Sequence, residues 1–272
     1  MSVSFDVEGK VAVITGGAGV LCSEMSTQLG SRGAKVAVLD IAEEGAREVA
    51  TKIVEDGGDA IGVGVDVLDK DSLLKARDAV MDKYGRVDIL INGAGGNRAD
   101  ATTGDDMSFF DLPIEALEWV FDLNFMGTVL TTQVFGKIMV DQDEGNIINI
   151  SSMAAIRPLT RVVGYGAAKA AIDNFTKWMA VDLNQNYSKN IRVNAIAPGF
   201  LLTQQNYFLL VDEETGGDTP RGHSIKTHTP MDKYGKPEDL IGAILWLASD
   251  ASSFVNGTIV PIDGGFSAFS GV

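Results

Sequence analysis

The sequence predicts an α/β fold, a doubly wound parallel sheet of seven strands with helices on both faces. Short β-branched runs alternate with longer stretches of helical periodicity from end to end. The runs are apolar throughout rather than alternating, as expected of parallel strands covered on both faces. No internal repeat, low-complexity tract or linker divides the 272 residues, so the chain reads as a single domain, 1–272, with halves meeting near residue 150.

The first strand is KVAVIT, Lys10–Thr15, followed by KVAVLD at Lys35–Asp40, AIGVGVD at Ala60–Asp66 and VDILIN at Val87–Asn92. NIINIS (Asn146–Ser151), IRVNAI (Ile191–Ile196) and TIVPID (Thr258–Asp263) complete the seven. Between them, stretches such as Glu43–Glu55 and Ser72–Lys83 carry apolar residues at helical spacing. Right-handed crossovers through such helices make the strands parallel. Two segments exceed simple connections: 96–113, rich in Gly, Asp and Thr, and 198–236, with prolines and a Gly216–Gly217 pair. Both follow the C-terminal ends of strands, where open α/β sheets bind ligands.

A formal charge of −15 argues against a nucleic-acid partner, which requires basic surface. It also means that an anionic substrate needs local arginines. The lone cysteine, Cys22, excludes an intramolecular disulfide and fits a reducing compartment. No apolar run approaches the about 18 residues of a membrane span, and no signal-like segment opens the chain, so a cytoplasmic protein with no membrane partner is expected.

After the first strand the chain reads TGGAGVLC, Thr15–Cys22. From Gly17 this is G-x-G-x-x-G with cysteine in the third place, in the strand–turn–helix context of a Rossmann-like dinucleotide site. The first two glycines allow the turn and close approach to a pyrophosphate, and the third allows helix–strand packing that a small thiol can meet. Aligned instead as T-G-x-x-x-G-x-G, the loop lacks glycine at Val20 and Cys22. The first alignment predicts an ordinary backbone at Val20, any unusual dihedral at Gly19, and a packing role for Cys22. Asp40 ends the second strand 18 residues after Cys22, where an acid hydrogen-bonds the adenosine ribose and repels a 2′-phosphate, so NAD is expected over NADP. Asp66 at the third strand's end either faces the adenine or caps a helix. Asn92 opens another glycine-rich turn, INGAGG, for close approach to the cofactor.

Tyr165 and Lys169, four apart in an alanine-rich helical segment, share a face, and Ser152 precedes Tyr165 by 13 residues. Carbonyl reduction leaves negative charge on oxygen, so a donor must stabilise it and supply a proton. An ammonium near a tyrosine favours the phenolate and lowers its pKa.

With the loop, Asp40, INGAG and Ser…Tyr-x-x-x-Lys in order, the whole chain resembles the short-chain dehydrogenase/reductase family. The resemblance implies that Tyr165 is the acid/base, that Lys169 tunes it and binds the nicotinamide ribose, and that Ser152 bonds the substrate oxygen. It implies that Asn124, in VFDLNFMG, holds a water of the proton relay; a helix kink is the alternative reading. It places Gly16, Gly17, Gly19, Val20, Leu21, Asp40, Asp66, Val67, Asn92, Gly93 and Ala94 on the cofactor. Pro198, Gly199 and Thr203 of APGFLLT would meet the carboxamide. Family tetramers pack the tyrosine-bearing helix against its counterpart, so a homotetramer is implied.

GGNRADATT, EWVFDLNFMGT, PLTRV and DGGFSAFSGV resemble more narrowly the family's D-mannonate oxidoreductase (fructuronate reductase) group, which interconverts D-fructuronate and D-mannonate. A sugar acid's carboxylate suits an arginine fork. Arg161, of PLTRV, is favoured, with Asn97 and Arg98 on the loop after INGAGG; Arg157 lies on the same segment as Arg161, and surface or subunit-contact roles stand as alternatives. Arg98 replaces the histidine expected in that group. Asp105 and Asp106 read as a solvated turn and no metal is expected, while His223 and His228 read as lid or subunit-contact residues. The competing functions are a dehydrogenase of gluconate or a neutral polyol, and a dinucleotide-binding protein without chemistry.

Overall fold

The computed structural model describes residues 3–203 and 206–271. Its strands are β1 (Val11–Thr15), β2 (Lys35–Asp40), β3 (Asp59–Gly64), β4 (Ile89–Asn92), β5 (Gly145–Ile150), β6 (Ile191–Pro198) and β7 (Ile259–Ile262). The helices are α1 (Val20–Gly30), α2 (Glu43–Glu55), α3 (Lys70–Tyr84), α4 (Ile114–Phe121), α5 (Gly127–Gln142), α6 (Met153–Ile156), α7 (Val163–Asn186), α8 (Tyr207–Leu210), α9 (Pro220–Thr227) and α10 (Ile241–Ala248). All seven strands form one sheet in the order β3-β2-β1-β4-β5-β6-β7, and every neighbouring pair is parallel. The chain winds outward in one direction from β1 and in the other from β4, which leaves a crevice where their C-terminal ends diverge.

Strand alternation sorts the core into two layers. Ala12, Ile14, Val36, Val38, Ile89 and Ile91 face α1, α2 and α10, contributing to one cluster with Met25, Leu29, Ile53, Ile244 and Leu247. Val11, Val13, Ala37, Leu39 and Leu90 face the other way, with Leu73 and Val80 of α3, Phe135 and Met139 of α5, and Leu183 of α7. Fully burying one such side chain contributes about 1.5–3 kcal/mol, so packing rather than intrinsic propensity holds these helices. Local signals set their ends: Asp69 caps α3 by accepting from Asp71 N at 2.9 Å, and Gly85 stops it in the left-handed region at φ 73°.

Both-face burial fails at the edges. β3 is half-buried along its whole length and β7 nearly so, because each has a neighbour on one side only. β3 also starts at Asp59 and ends at Gly64, so Asp66 lies beyond it in a turn, with its carboxylate accepting from Leu68 N. The long segments are not bare loops. Residues 96–113 hold 3₁₀ turns at Ala99–Ala101 and Phe109–Asp111, and 198–236 carries α8 and α9 above a base where Leu202 N and Gly235 N bond Gly235 O and Phe200 O. Among the described residues, no helix is long and apolar enough to cross a membrane, and no group of acids, histidines or cysteine could hold a metal ion.

Candidate active site

A cleft of about 500 Å³ runs along the C-terminal ends of the central strands. Its floor at one end is the turn between β1 and α1. Gly16 carries the positive φ of that turn, 65°, and a Cβ there would lie 2.8 Å from Ala94 N, so the two glycine-rich loops touch backbone to backbone. Gly19 is extended at φ −69°, ψ 152°, which corrects the expectation that it would hold the unusual dihedral. Val20 is the first helical residue, as the G-x-G-x-x-G alignment requires. Gly17 does not line the cleft; a Cβ on it would meet Val38 Cγ1 at 2.6 Å, so its role is the approach of the turn to β2. The unpaired N–H groups opening α1 present partial positive charge to the cleft beside Gly19, Val20 and Leu21.

Cys22 lies beneath this turn, 4% exposed, where a Cβ on Gly93 would overlap its sulfur. Burial pushes its thiol up to about 12, with Lys169 opposing and Asp40 adding to the rise, so it is a packing residue. Asp40 holds the loop from the other side: Oδ2 accepts from Ala18 N at 3.0 Å and Oδ1 from Ala42 N at 2.9 Å. Asp40, Ile41, Asp66 and Val67 line the cleft, and each Asp40 oxygen has acceptor capacity beyond its one backbone bond. The α1 N-terminus and the Asp40 carboxylate thus line one cleft, the two features that a dinucleotide site requires.

Gly93, Ala94 and Gly95 line the middle. Asn92 does not, which corrects its place among the cofactor contacts: its amide turns into the sheet and donates to Thr132 Oγ1 at 3.0 Å and Asn149 Oδ1 at 2.8 Å. Asn149 passes the chain on to Thr176, so one polar strut crosses α5, β4, β5 and α7. Thr15 Oγ1 accepts from Gly93 N and Ala94 N and ties the two switch-point strands together.

At the other end α7 presents Tyr165 and Lys169 to the cap of α6. Ser152, the N-cap of α6, accepts from Ala154 N at 3.1 Å and lines the cleft together with Tyr165. Lys169 is 4% exposed, and its Nζ donates to Ile150 O at 2.8 Å and lies 5.5 Å from the centre of the Tyr165 ring. Burial lowers this ammonium to about 8, opposed by Cys22 and Asp173. The expected lowering of Tyr165 is not what the structure gives: burial raises its hydroxyl, opposed only by the Ser152 contact. The reason is placement, since the Lys169 ammonium is aimed at the Ile150 carbonyl rather than at the phenol oxygen.

Asn124 is fully buried in a π-helical turn, Asp122–Met126, between α4 and α5. Its Nδ2 donates to Gly96 O and Val120 O, both at 2.7 Å, and its Oδ1 accepts from Gly96 N at 3.2 Å. A Cβ on Gly95 would fall 2.5 Å from that Oδ1 and 3.3 Å from Lys169 Nζ, so Asn124 and Lys169 converge behind a glycine. Pro198, Gly199 and Thr203 line the far wall, with Gly199 N bonded to Ile262 O and Thr203 N to Asn206 Oδ1. Sequence reasoning missed Gly95, Leu123, Ser151, Phe200 and Asn206, which also line the cleft, although the motifs INGAGG, VFDLNFMG, NIINIS and APGFLLT contain the first four.

The three substrate candidates lie outside the cleft lining, on segments continuing from Gly95 and joining Ser152 to Tyr165. Arg98 is committed: it pairs with Asp100 through two bonds, 2.5 and 2.7 Å, and lies 5.1 Å over the Trp119 ring. That corrects its assignment to a carboxylate. Asn97, also exposed, is engaged within its own loop, donating to Thr102 Oγ1 at 2.9 Å. Arg161 differs. Its backbone is left-handed at φ 77°, its carbonyl accepts from Thr103 N at 3.0 Å, and its exposed guanidinium has no partner among the described residues. Asp105 and Asp106 are exposed between the bridged Gly104 and Met107, and His223 and His228 lie on and after α9, outside the cleft lining.

A family model described as enoyl-(acyl carrier protein) reductase matches residues 19–267. An uncharacterized oxidoreductase of Bacillus subtilis, UxuB, is 49% identical over 276 residues, 98% of each chain. The structure of a candidate D-mannonate oxidoreductase from Haemophilus influenzae with bound NAD superposes with a TM-score of 0.92 at 46% identity, covering 98% of each chain. D-threitol dehydrogenase of Mycolicibacterium smegmatis is 32% identical over 98% of this chain and 96% of its own.

Proposed function

The chain belongs to the short-chain dehydrogenase/reductase family, and from that premise we propose that it moves hydride between NAD(H) and a sugar acid, D-fructuronate/D-mannonate. It is an oxidoreductase of the CH–OH/C=O class. The observation that carries the reading is the meeting of Ser152 and Tyr165 in one cleft with the α1 N-terminus and Asp40.

NADH, when bound, supplies the hydride for carbonyl reduction, and NAD accepts it in the reverse direction. The opening of α1 binds the pyrophosphate and Asp40 the adenosine ribose; a 2′-phosphate beside that carboxylate is disfavoured, hence NAD. Ser152 Oγ and Tyr165 Oη donate to the substrate oxygen and stabilise the charge that builds on it. Tyr165, its hydroxyl raised by burial, is protonated at neutral pH and gives its proton to that oxygen. Lys169 holds the nicotinamide ribose, and Asn124 fixes the loop at Gly96 from behind. Pro198, Gly199 and Thr203 form the wall against the carboxamide.

The sugar-acid assignment rests on the named Haemophilus influenzae relative and on Arg161, a cation without a counter-ion among the described residues, on the segment joining Ser152 to Tyr165. A left-handed arginine is a strained backbone, of the kind concentrated at ligand clamps. A second reading, a neutral polyol, is favoured by the D-threitol relative. The chain acts as one domain, 1–272, in a cytoplasmic homotetramer built on α7, whose Trp178 and Val181 are exposed in the monomer.

A panel of uronates, aldonates and neutral polyols followed by NADH absorbance tests the substrate. D-mannonate oxidation and D-fructuronate reduction should exceed every neutral polyol; good turnover of polyols with none of the sugar acids would overturn the carboxylate clamp.

A further inference from the structure

The last residue of β5, the two serines that follow it and three successive turns of α7 are stitched together in a way the proposed roles leave unused. Ile150 O accepts from Lys169 Nζ, the Ser151 hydroxyl donates to Asp173 Oδ1, and Ser152 stands before Tyr165. Tyr165, Lys169 and Asp173 follow one another at intervals of four along one face of the helix. Ser151 is 2% exposed and its N–H is fixed to Ile196 O on β6 at 2.8 Å, so its hydroxyl is a rigid donor.

The Lys169 ammonium needs such support. It is buried, it has no carboxylate within ion-pair distance among the described residues, and the hydrogen bond it makes there is to a neutral carbonyl. A buried ammonium without a nearby negative charge loses its proton readily. The charged and titratable groups facing it are Cys22 from α1 and Tyr165 and Asp173 from its own helix. Cys22 stays a neutral thiol, which leaves Asp173 as the sole negative charge in that set. Asp173 in turn faces Ser151, Lys169 and the exposed Lys177.

The geometry points to Asp173, oriented by Ser151, as a positioning residue that keeps Lys169 charged and seated on the Ile150 carbonyl. The inference rests on the role proposed above for Lys169. Ser151 orders the carboxylate, the carboxylate offsets the burial of the ammonium one turn away, and the ammonium is thereby available to the ribose and to the Tyr165 ring.

The test is the pH profile of carbonyl reduction, with the panel compound that turns over fastest, in the wild type and in Asp173→Asn. Lys169 is charged below about 8 and loses its proton as pH rises through that value. Removing the Asp173 charge makes that loss easier, so the alkaline limb of kcat/KM should move down by about half a pH unit or more. Ser151→Ala, which deletes a single hydroxyl, should move it the same way by less and remains informative if Asp173→Asn folds poorly. A lower Tm with an unmoved limb in both variants would reduce the pair to a structural staple and overturn the inference. Lys169→Met separates the two layers of argument. If it is inactive and the limb is unmoved, only the positioning role falls; if it is fully active, the proposed role of Lys169 falls and takes the positioning role with it.

Discussion

Burial raises the Tyr165 hydroxyl above its ordinary range, so at neutral pH the residue carries the proton that its proposed role in reduction requires. Replacing it with phenylalanine removes donor and proton while leaving the ring that packs with Ala101, Ala116 and Val120. Tyr165→Phe should therefore cost about 100-fold or more in turnover, with NADH affinity by fluorescence titration nearly unchanged. Tyr165 and Lys169 were legible because their spacing puts them on one helical face and little else explains that pair after Ser152. The direction of the tyrosine's shift was not legible, because it depends on where an ammonium points, and Lys169 points to Ile150 O. Arg98 was misread for a related reason. An acid two residues along, Asp100, captures its guanidinium over Trp119, and sequence distance says nothing about such a pairing.

Among the elements, the seven strands came out of the sequence because periodicity and burial agree for the five central ones, while the edges depart from it for want of a second neighbour. The glycines show what periodicity cannot carry. Gly62 in β3 lies under α2 so closely that a Cβ would fall 2.5 Å from Ala46 C and O and from Arg47 Cα. Backbone atoms of a helix cannot swing aside as a side-chain tip can, so the helix itself would have to lift. A β-branched residue would suit an edge strand by propensity alone, yet Gly62→Val should destabilise the protein by about 1–3 kcal/mol through overpacking. Urea unfolding with an unchanged m-value is the expected signature. The π-helical turn at Asp122–Met126 is a second such feature: a helix kink at Asn124 is the alternative reading of VFDLNFMG, and the Asn124–Gly96 bonds show why a wider turn is kept there.

At the scale of the whole molecule, a protein of net charge −15 has to admit two anions, a dinucleotide and the proposed sugar acid. The proposed local fields are favourable: the α1 N-terminus for the pyrophosphate and, for the carboxylate, Arg161, which has no partner among the described residues. The long-range field opposes both, and the two ranges respond differently to salt. At about 10 mM ionic strength the screening length is about 30 Å, so the whole acidic surface acts on an approaching anion; at about 150 mM it is about 8 Å and only the lining of the cleft is felt. Raising salt across that interval should therefore lower KM for an anionic sugar acid, while a neutral polyol assayed at saturating NADH should be unaffected. The proposed Arg161 attraction would set the size of the effect, because it is screened too. In Arg161→Gln the opposing short-range attraction is gone, so KM should be higher at every salt concentration and fall more steeply as salt is added. Steady-state kinetics at four or five ionic strengths, wild type beside Arg161→Gln, reads both slopes. Parallel slopes would place Arg161 away from the substrate's path, and a KM that rises with salt in the wild type would mean that local cations, rather than the acidic surface, govern the approach.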